Sequence, residues 1–522
     1  MNDLNLILDY HNRTKHHPNK YAASLGYMDW ATQPDPFRSY KGAAKIQLPL
    51  ALENTTPPYH LLWEENRVPQ APLCIESISQ LFQFSLAISA YKSANETSWA
   101  LRCNASSGNL QPTEEYIILP PLNGISKKTT ISHYAPFDHS LEILNEFDTA
   151  FWDKFPQESF FISLSSIIWR EAWKYGERSF RYTQLDLGHA LQALHVSAKM
   201  LGWNISLVDN CDIKDIDTLL GFDKKTRFHK DEYEESDILL FISKEKRLTS
   251  KISNEWRLKT LLRDMKPYDD TIANRLSSSH HQWEILDLIN DATHFMPTSQ
   301  LPLYPCLYRS KNPSSESKEV ILKRRSAQMM NANRSKITNE QFATILKSVY
   351  HEKADVHFAI FIHDVDGLQS GLYLYLRDSD DLQNLKENLD ATFVWNEVYE
   401  HLYLLKLGDY RAIAKNISCS QDIAKDGAFS LGMIAKFASV LHENNPQKYK
   451  ELYYECGAIG QQLYLEATSL GLSATGIGCF LDDIMHQLLG LRDNSYQSLY
   501  HFTIGRAIVD MRVQTHKPYL LR

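Results

Sequence analysis

The chain repeats itself. LGHALQALHVSAKMLGW (187–203) and CGAIGQQLYLEATSLGL (456–472) share an opening glycine, Leu194 against Leu463, Ala198 against Ala467, and a closing glycine. Gly188 and Gly457, Gly202 and Gly471, and the last residues of LLGF (Phe222) and LLGL (Leu491) all stand 269 positions apart. Three anchors at one offset, without a gap, mark a duplication. Each copy reads as a helix with apolar residues at three- and four-residue spacing, stopped by glycine and followed by a short buried strand and a second helix. Further strands are expected at EEYIIL (114–119), DILLFIS (237–243), VHFAIFI (356–362) and LYHFTIG (499–505). Long helices with strands that lack regular βαβ spacing predict the α+β class, as two lobes in one chain about a pseudo-twofold axis.

With 522 residues the chain exceeds what one core holds, since single cores rarely grow past roughly 250–300 residues. The polar stretch around 307–320, with its prolines and serines, reads as a boundary. The expected division is a first lobe over 1–270, a linker region over 271–320 and a second lobe over 321–522. A formal net charge of −8 supplies no general field for phosphodiesters, which argues against a nucleic-acid partner. Seven cysteines (74, 103, 211, 306, 419, 456, 479) are scattered with no C-x-x-C pair, so neither a metal site nor a disulfide framework is expected. The N-terminal stretch lacks the basic start and apolar centre of a secretory signal, and no segment approaches the ~18 apolar residues of a membrane helix. The expectation is a cytoplasmic enzyme or binding protein with no membrane partner.

Four segments carry candidate chemistry, and their distribution between the halves matters more than any one alone. In the second half Lys323, Arg324, Arg325 and Ser326 precede a helical pattern, and guanidinium forks with a hydroxyl suit a terminal phosphate. TGIGCF (475–480) follows the repeated helix, where Gly476 and Gly478 let a ring plane lie against backbone with amides free to donate. At the same offset the first half has Leu207 and Asp209, so that copy has lost both glycines. The first half instead keeps NASSGNLQPTE (104–114), where Ser106, Ser107, Asn109 and Gln111 suit the edge of a polar heterocycle. Before its matching strand the second half reads SVYHEKAD, with nothing similar. The fourth segment, WREAWKYGERSFRY (169–182), is a charge-dense helix that either holds a substrate group and moves a proton or is a solvated amphipathic face. Taken singly, the first three read equally well as a basic turn, a glycine turn and a polar turn.

Together these blocks resemble the FMN-dependent nitroreductase family, in a tandem-domain form. Within it they are most similar to the azoline dehydrogenases of streptolysin-type peptide modification. The resemblance runs through YHNRTKHHPNKYA, MDWATQPDPFRSY, SSGNLQPTE, WKYGER, SCSQDIAKDGAFSLGM and GQQLYLEATSLGLSATGIGCFLDD, nearly the whole chain. That family is a homodimer with flavin at the interface. The resemblance therefore implies one composite FMN site, with the second half supplying the R-R-S turn and the glycine strand and the first half the S-S-x-N-x-Q-P loop. Arg324, Arg325 and Ser326 would hold the phosphate, and Gln328 stands where the family has a further arginine. Gly476, Gly478 and Cys479 would line the ring, with the Gly478 amide near N5, and Ser106, Ser107, Asn109 and Gln111 would meet it from the other lobe. Arg512 resembles another phosphate ligand, and Lys174 and Tyr175 resemble the Lys-Tyr pair used for proton abstraction. The implied activity is an FMN-dependent oxidoreductase or dehydrogenase acting on a small molecule or peptide. Its redox partner would be NAD(P)H or oxygen, and the assembly a monomer or a homodimer of fused chains. The alternatives are a non-catalytic peptide- or partner-binding module derived from the family, a nitro or quinone reductase using NAD(P)H, and an enzyme that consumes flavin. No G-x-G-x-x-G fingerprint follows a strand, so a nicotinamide would visit the same pocket in turn.

Overall fold

The computed structural model describes residues 2–64, 66–208, 211–245, 258–268, 270–297 and 315–519. The expected counterpart of Gly478 in the first copy, Asp209, and much of the expected linker lie outside these residues. The first half supplies β1 (Ala44–Gln47), β2 (Ile88–Ala94), β3 (Thr97–Arg102), β4 (Thr113–Leu119), β5 (Thr129–Ala135), β6 (Ser140–Phe147), β7 (Phe160–Ser166), β8 (Asn204–Leu207) and β9 (Glu235–Ser243). The second supplies β10 (Val356–Ile362), β11 (Gly371–Tyr375), β12 (Asn396–Tyr399), β13 (Leu402–Leu407), β14 (Phe429–Lys436), β15 (Ser473–Ile477), β16 (Tyr496–Gly505) and β17 (Gln514–His516). Two seven-stranded sheets result, ordered β1-β6-β5-β4-β7-β9-β8 and β12-β13-β11-β10-β14-β16-β15. Their strand pairs are antiparallel, and β4, β7, β9, β8 occupy the places of β10, β14, β16, β15.

The four strands expected from the sequence are present, and each central pair is dry. Every residue of β4 and β10 is buried, because both strands are flanked on either edge and covered by helix. Ile117 faces Ile162 across the β4–β7 pair and Phe358 faces Met433 across β10–β14. Side-chain pairs of this kind stabilise a sheet by roughly 0.2–1 kcal/mol each.

The repeated helices are α3 (Ser179–Met200) and α6 (Lys448–Ser469), preceded in chain order by α1 (Asp3–Arg13) and α2 (Ile168–Tyr175). Both repeats are buried on nearly every side, since each lies between a sheet and the other repeat. They meet at the duplicated glycines. A Cβ on Gly188 would lie 2.9 Å from the Gly457 Cα and collide with the Tyr454 carbonyl, and one on Gly457 would lie 3.0 Å from the Gly188 Cα and collide with the Leu185 carbonyl. Two positions related by the repeat thus touch each other, which places the pseudo-twofold axis between them. Short helices α4 (Ile213–Leu220) and α7 (Asp482–Leu489) repeat the same offset, ending at Gly221 and Gly490 with φ of 74° and 79°.

The lobes also exchange their ends. Ile7 and Tyr10 of α1 join the core beneath the second sheet, while β17 pairs with β2 of the first lobe and Tyr519 joins the first lobe's core. Within the stretch expected as a linker, Ile272–Ala273 pairs with Tyr40–Lys41, and the helix Glu284–Thr293 sends Leu286 and Ile289 into the core shared with α1.

Because the backbones touch, Gly457→Val should cost about 3 kcal/mol or more in denaturant unfolding. Gly471→Ala, with φ of +69° and nothing within 4 Å of a new Cβ, should cost about 1 kcal/mol. Equal costs would contradict the close crossing.

Candidate flavin site between the lobes

The first-half loop is built around a carboxylate. Ser106 Oγ donates to Asp186 Oδ2 at 2.7 Å, and Ser107 donates to Asp186 through both its amide (2.9 Å) and its hydroxyl (2.8 Å). Asp186 sits on α3, so these bonds tie the loop to the repeated helix. Asn109 Nδ2 donates to the Ala100 carbonyl and Gln111 Nε2 to Asn109 Oδ1. Asn109 and Gln111 have φ of 59° and 56°, left-handed backbone that side-chain-bearing residues adopt at a cost of roughly 1–3 kcal/mol and that concentrates at functional sites. Gln111 Oε1 and Asn104 Oδ1 are buried with no hydrogen-bond partner among the described residues.

Lys174 and Tyr175 close over this loop. A Cβ on Gly108 would meet the Tyr175 hydroxyl at 2.8 Å and the Lys174 ammonium at 3.2 Å. Tyr175 packs on Tyr182, ring centroids 4.5 Å apart, and the Tyr182 hydroxyl donates to the Gly478 carbonyl at 3.0 Å. A Cβ on Gly478 would run into the Tyr182 ring. An unbroken line of contacts therefore joins the 104–114 loop, the Lys-Tyr pair and the 475–480 turn across the two lobes.

The helical segment 169–182 is no solvated face. Arg170, Glu171, Glu177, Arg178 and Arg181 are all buried: partners far away in sequence neutralise the three arginines and Glu177, and burial keeps Glu171 protonated. Arg170 pairs with Glu114 at 2.8 Å, Glu177 with Arg13, and Arg178 and Arg181 with Asp482 at 3.0 and 2.9 Å. Asp482 opens α7 in the second lobe and is held well below the usual carboxylate range; burial opposes its charge and the two guanidiniums outweigh it. Arg178 also donates to the Gly478 carbonyl at 3.4 Å. Removing one partner of such a buried set typically costs 3–5 kcal/mol, so this triad fixes the glycine turn against the first lobe.

The R-R-S turn sits at the C-terminal end of α5 (Ser317–Lys323), 13 residues before the helix Asn339–Lys347. Arg324 is 4% exposed and stretched over the Tyr464 ring at 5.2 Å. It donates to the Cys103 carbonyl at 2.9 Å and the Arg102 carbonyl at 3.1 Å, both in the first lobe. Two of its nitrogens thus clamp the lobes, and Nη1, buried and without a partner among the described residues, is left to meet an anion. Arg325 donates to Ser89 Oγ and is pushed down to about 10 by burial and by Arg324. Lys92 on β2 feels Arg325 as a like charge, and desolvation together with that charge lowers its pKa. Two cations held near each other suit a bound anion, and Lys92 is a ligand candidate that sequence reasoning missed. Ser326 shares a hydrogen bond with the Tyr464 hydroxyl at 2.8 Å.

The two glycines differ in role. Gly476 N–H already donates to Tyr464 Oη at 2.8 Å, and the Tyr500 hydroxyl occupies the space of its missing side chain. Gly476 thus serves packing, whereas nothing among the described residues accepts from the Gly478 amide. Gln328 is exposed, and Arg512 is 88% exposed and engaged by Asp510 at 2.8 Å, which leaves both outside this line of contacts. Cys479 follows Gly478 at its edge.

A carboxyl pair beneath the loop also escaped the sequence reading. Burial first, and then the charge of Asp186, drives Glu171 well above the ordinary range. Burial raises Asp186 to about 7 against the pull of its serine donors. Since the serines already donate to Asp186, the proton shared by these neighbouring carboxyls resides on Glu171, whose oxygens have no hydrogen-bond partner among the described residues. The signal was present in the sequence, Glu171 standing one turn before Lys174 and Asp186 just ahead of the repeat, but nothing in the spacing showed that they meet.

The nitroreductase family model matches residues 93–229 and again 375–506, just over half of the chain. The chain belongs to the nitroreductase family. Among solved structures, a candidate nitroreductase from Anabaena variabilis matches at 21% identity and a TM-score of 0.69, covering 96% of this chain and 99% of that one. A candidate nitroreductase from Ralstonia eutropha matches at 15% identity and a TM-score of 0.28, covering 39% and 88%. The E. coli microcin synthetase complex McbBCD matches at 15% identity and a TM-score of 0.27, covering 47% and 94%. No curated protein matches the sequence. Among the described residues no helix is long and apolar enough to cross a membrane.

Burial moves the ionisation of Asp186 up to about 7 in the folded nitroreductase, so that below this pH it takes up a proton of its own besides the one on Glu171. The stability this confers is fully present below about pH 4, the ordinary Asp range, and is lost as the pH rises through about 7. Asp186→Asn should reduce the slope of unfolding free energy against pH between 4 and 7 by about one proton. An unchanged slope would remove Asp186 as the titrating group.

Proposed function

We propose that the chain binds one FMN at the seam between its lobes and acts as an FMN-dependent oxidoreductase of the dehydrogenase type. The observation that carries this reading is the contact line from Gly108 through Tyr175 and Tyr182 to Gly478, which brings together the element each half retained. The polar groups left unmet along it fit the cofactor. Arg324 Nη1, Arg325, Ser326 and Lys92 would hold the phosphate, the Gly478 amide would donate to the ring edge, and Gln111 Oε1 and Asn104 Oδ1 would accept from ring N–H groups.

Bound flavin supplies two-electron hydride chemistry, and the protein orients it and handles protons. Tyr175 is kept protonated by burial, by Glu171, by Tyr182 and by Asp186 in that order, so it serves as a donor beside the substrate. Lys174, exposed over the same loop, meets the substrate from the solvent side and the Glu171–Asp186 pair resupplies the proton. Tyr182 and Arg178 fix the Gly478 carbonyl, and with it the peptide that follows, which holds the glycine turn in one conformation.

Titration of the flavin-free protein by fluorescence should show FMN bound about 10–100-fold more tightly than riboflavin, as charged phosphate contacts contribute about 1.5–3 kcal/mol. Arg325→Ala should erase most of that preference. No flavin binding, or equal affinity for FMN and riboflavin, would contradict the proposal.

A further inference from the structure

A group of side chains beside the Gly478 carbonyl is left over by the proton-transfer reading. The Cys479 thiol lies beside Cys419 and the His16 imidazole, each of which shifts its titration, and the Leu481 N–H donates to the Ile417 carbonyl at 2.7 Å, which holds the two cysteine-bearing segments together. Tyr21, 52% exposed, reaches Cys419 from the solvent side and packs edge-on against His16, ring centroids 4.8 Å apart. Both cysteines are partly exposed. Cys419 and Ser420 have φ of 52° and 62°, so the turn that carries the first cysteine is held in left-handed backbone. Gln421 Nε2 donates to the Cys479 carbonyl at 3.3 Å and pins that turn to the glycine strand. The two cysteines stand 60 positions apart in sequence and meet only in the fold.

The surroundings make the two thiols unequal. The Ala22 amide donates to His16 Nδ1 at 3.0 Å, and burial lowers the pKa of the imidazole. His16 is thus neutral with its proton on Nε2, a donor aimed at Cys479. The neighbouring Cys419 pushes the Cys479 thiol down most, burial opposes it, and His16 and the Arg178 guanidinium lower it further, to about 5. Cys419 moves up, because the neighbouring sulfur carries the charge. One acidic, nucleophilic thiol beside a second, less acidic one is the arrangement that thiol–disulfide chemistry requires.

We propose that Cys419 and Cys479 form a dithiol/disulfide couple that stores two electrons and exchanges them with FMN at the adjoining glycine turn. In the oxidative direction the Cys479 thiolate sulfur bonds to Cys419 sulfur, the Cys419 S–H bond breaks, and the pair gives up one proton and two electrons, a second proton for the reduced flavin coming from solvent. The electrons pass to oxidised FMN, which is thereby reduced, and the reverse step restores both thiols. The flavin half of this proposal rests on the reading in the previous subsection; the couple itself does not.

The test uses the full chain in two arms. In defined mixtures of oxidised and reduced dithiothreitol, followed by alkylation and peptide mass spectrometry, a reversible 419–479 cross-link and the loss of two alkylatable thiols are expected. Both cysteines staying fully alkylatable in the oxidising mixture would overturn the couple. In the second arm FMN-loaded, pre-oxidised protein is titrated anaerobically with dithionite. Uptake of four electrons per bound flavin is expected, falling to two in Cys419→Ser and likewise in Cys419→Ala. Two electrons in every form would overturn the exchange with FMN. A chain that forms the cross-link but binds no FMN would sink the flavin reading while leaving the couple standing, so the two failures are separable.

Discussion

Two helices that meet at a pair of glycines set the rest of this structure. With no side chain at Gly188 or Gly457, the backbones of the long repeats approach until each lies against the other's carbonyls. The approach brings α3, with Tyr182 and Asp186, alongside α6, with Tyr464 and Gln461. From there the polar ties follow: the Ala105 amide donates to Gln461 at 3.1 Å, Gln192 to Gln462 at 2.9 Å, and Arg324 reaches back to the first lobe's carbonyls. The crossed ends, α1 under the second sheet and β17 on the first, then make separation of the lobes costly.

Duplication left the copies free to diverge, and their losses are complementary. Where the second copy has Gly476, the first has Leu207, whose side chain packs against the first lobe's core. Where the second has Asp482, the first has Ile213, also buried. Arg178 and Arg181 in the first lobe thus find their counter-charge only in the second, and the loop at Ser106–Gln111 finds its complement only at Gly478. A chain in which each half depends on the other for charge balance favours a single site over two.

Much of this was legible in the sequence. The 269-residue offset announced two lobes, and the glycine stops, the four strands and the loop and turn that face each other were all readable from pattern. Other features were hidden for one physical reason. A charged residue in an amphipathic run looks solvated unless its partner is known, and the partners here lie up to 304 positions away, as for Arg178 and Asp482. Arg324 read as a phosphate ligand because its neighbours suit phosphate, while the carbonyls that occupy most of it belong to Arg102 and Cys103. Lys92, Glu171, Asp186 and Cys419 were silent because single residues on a strand, a helix or a turn carry no spacing signal. Arg512 was placed by a resemblance in the tail, and in the structure its exposed side chain pairs with Asp510.

The central claim is that the two lobes pool their remaining ligands around one flavin. Reconstituting the purified chain with excess FMN, removing the free cofactor and measuring bound FMN by absorbance against protein concentration tests it most directly. The account predicts one FMN per chain. Two per chain would contradict it, because the first copy would then have kept a working site despite Leu207, and none would remove the shared site altogether.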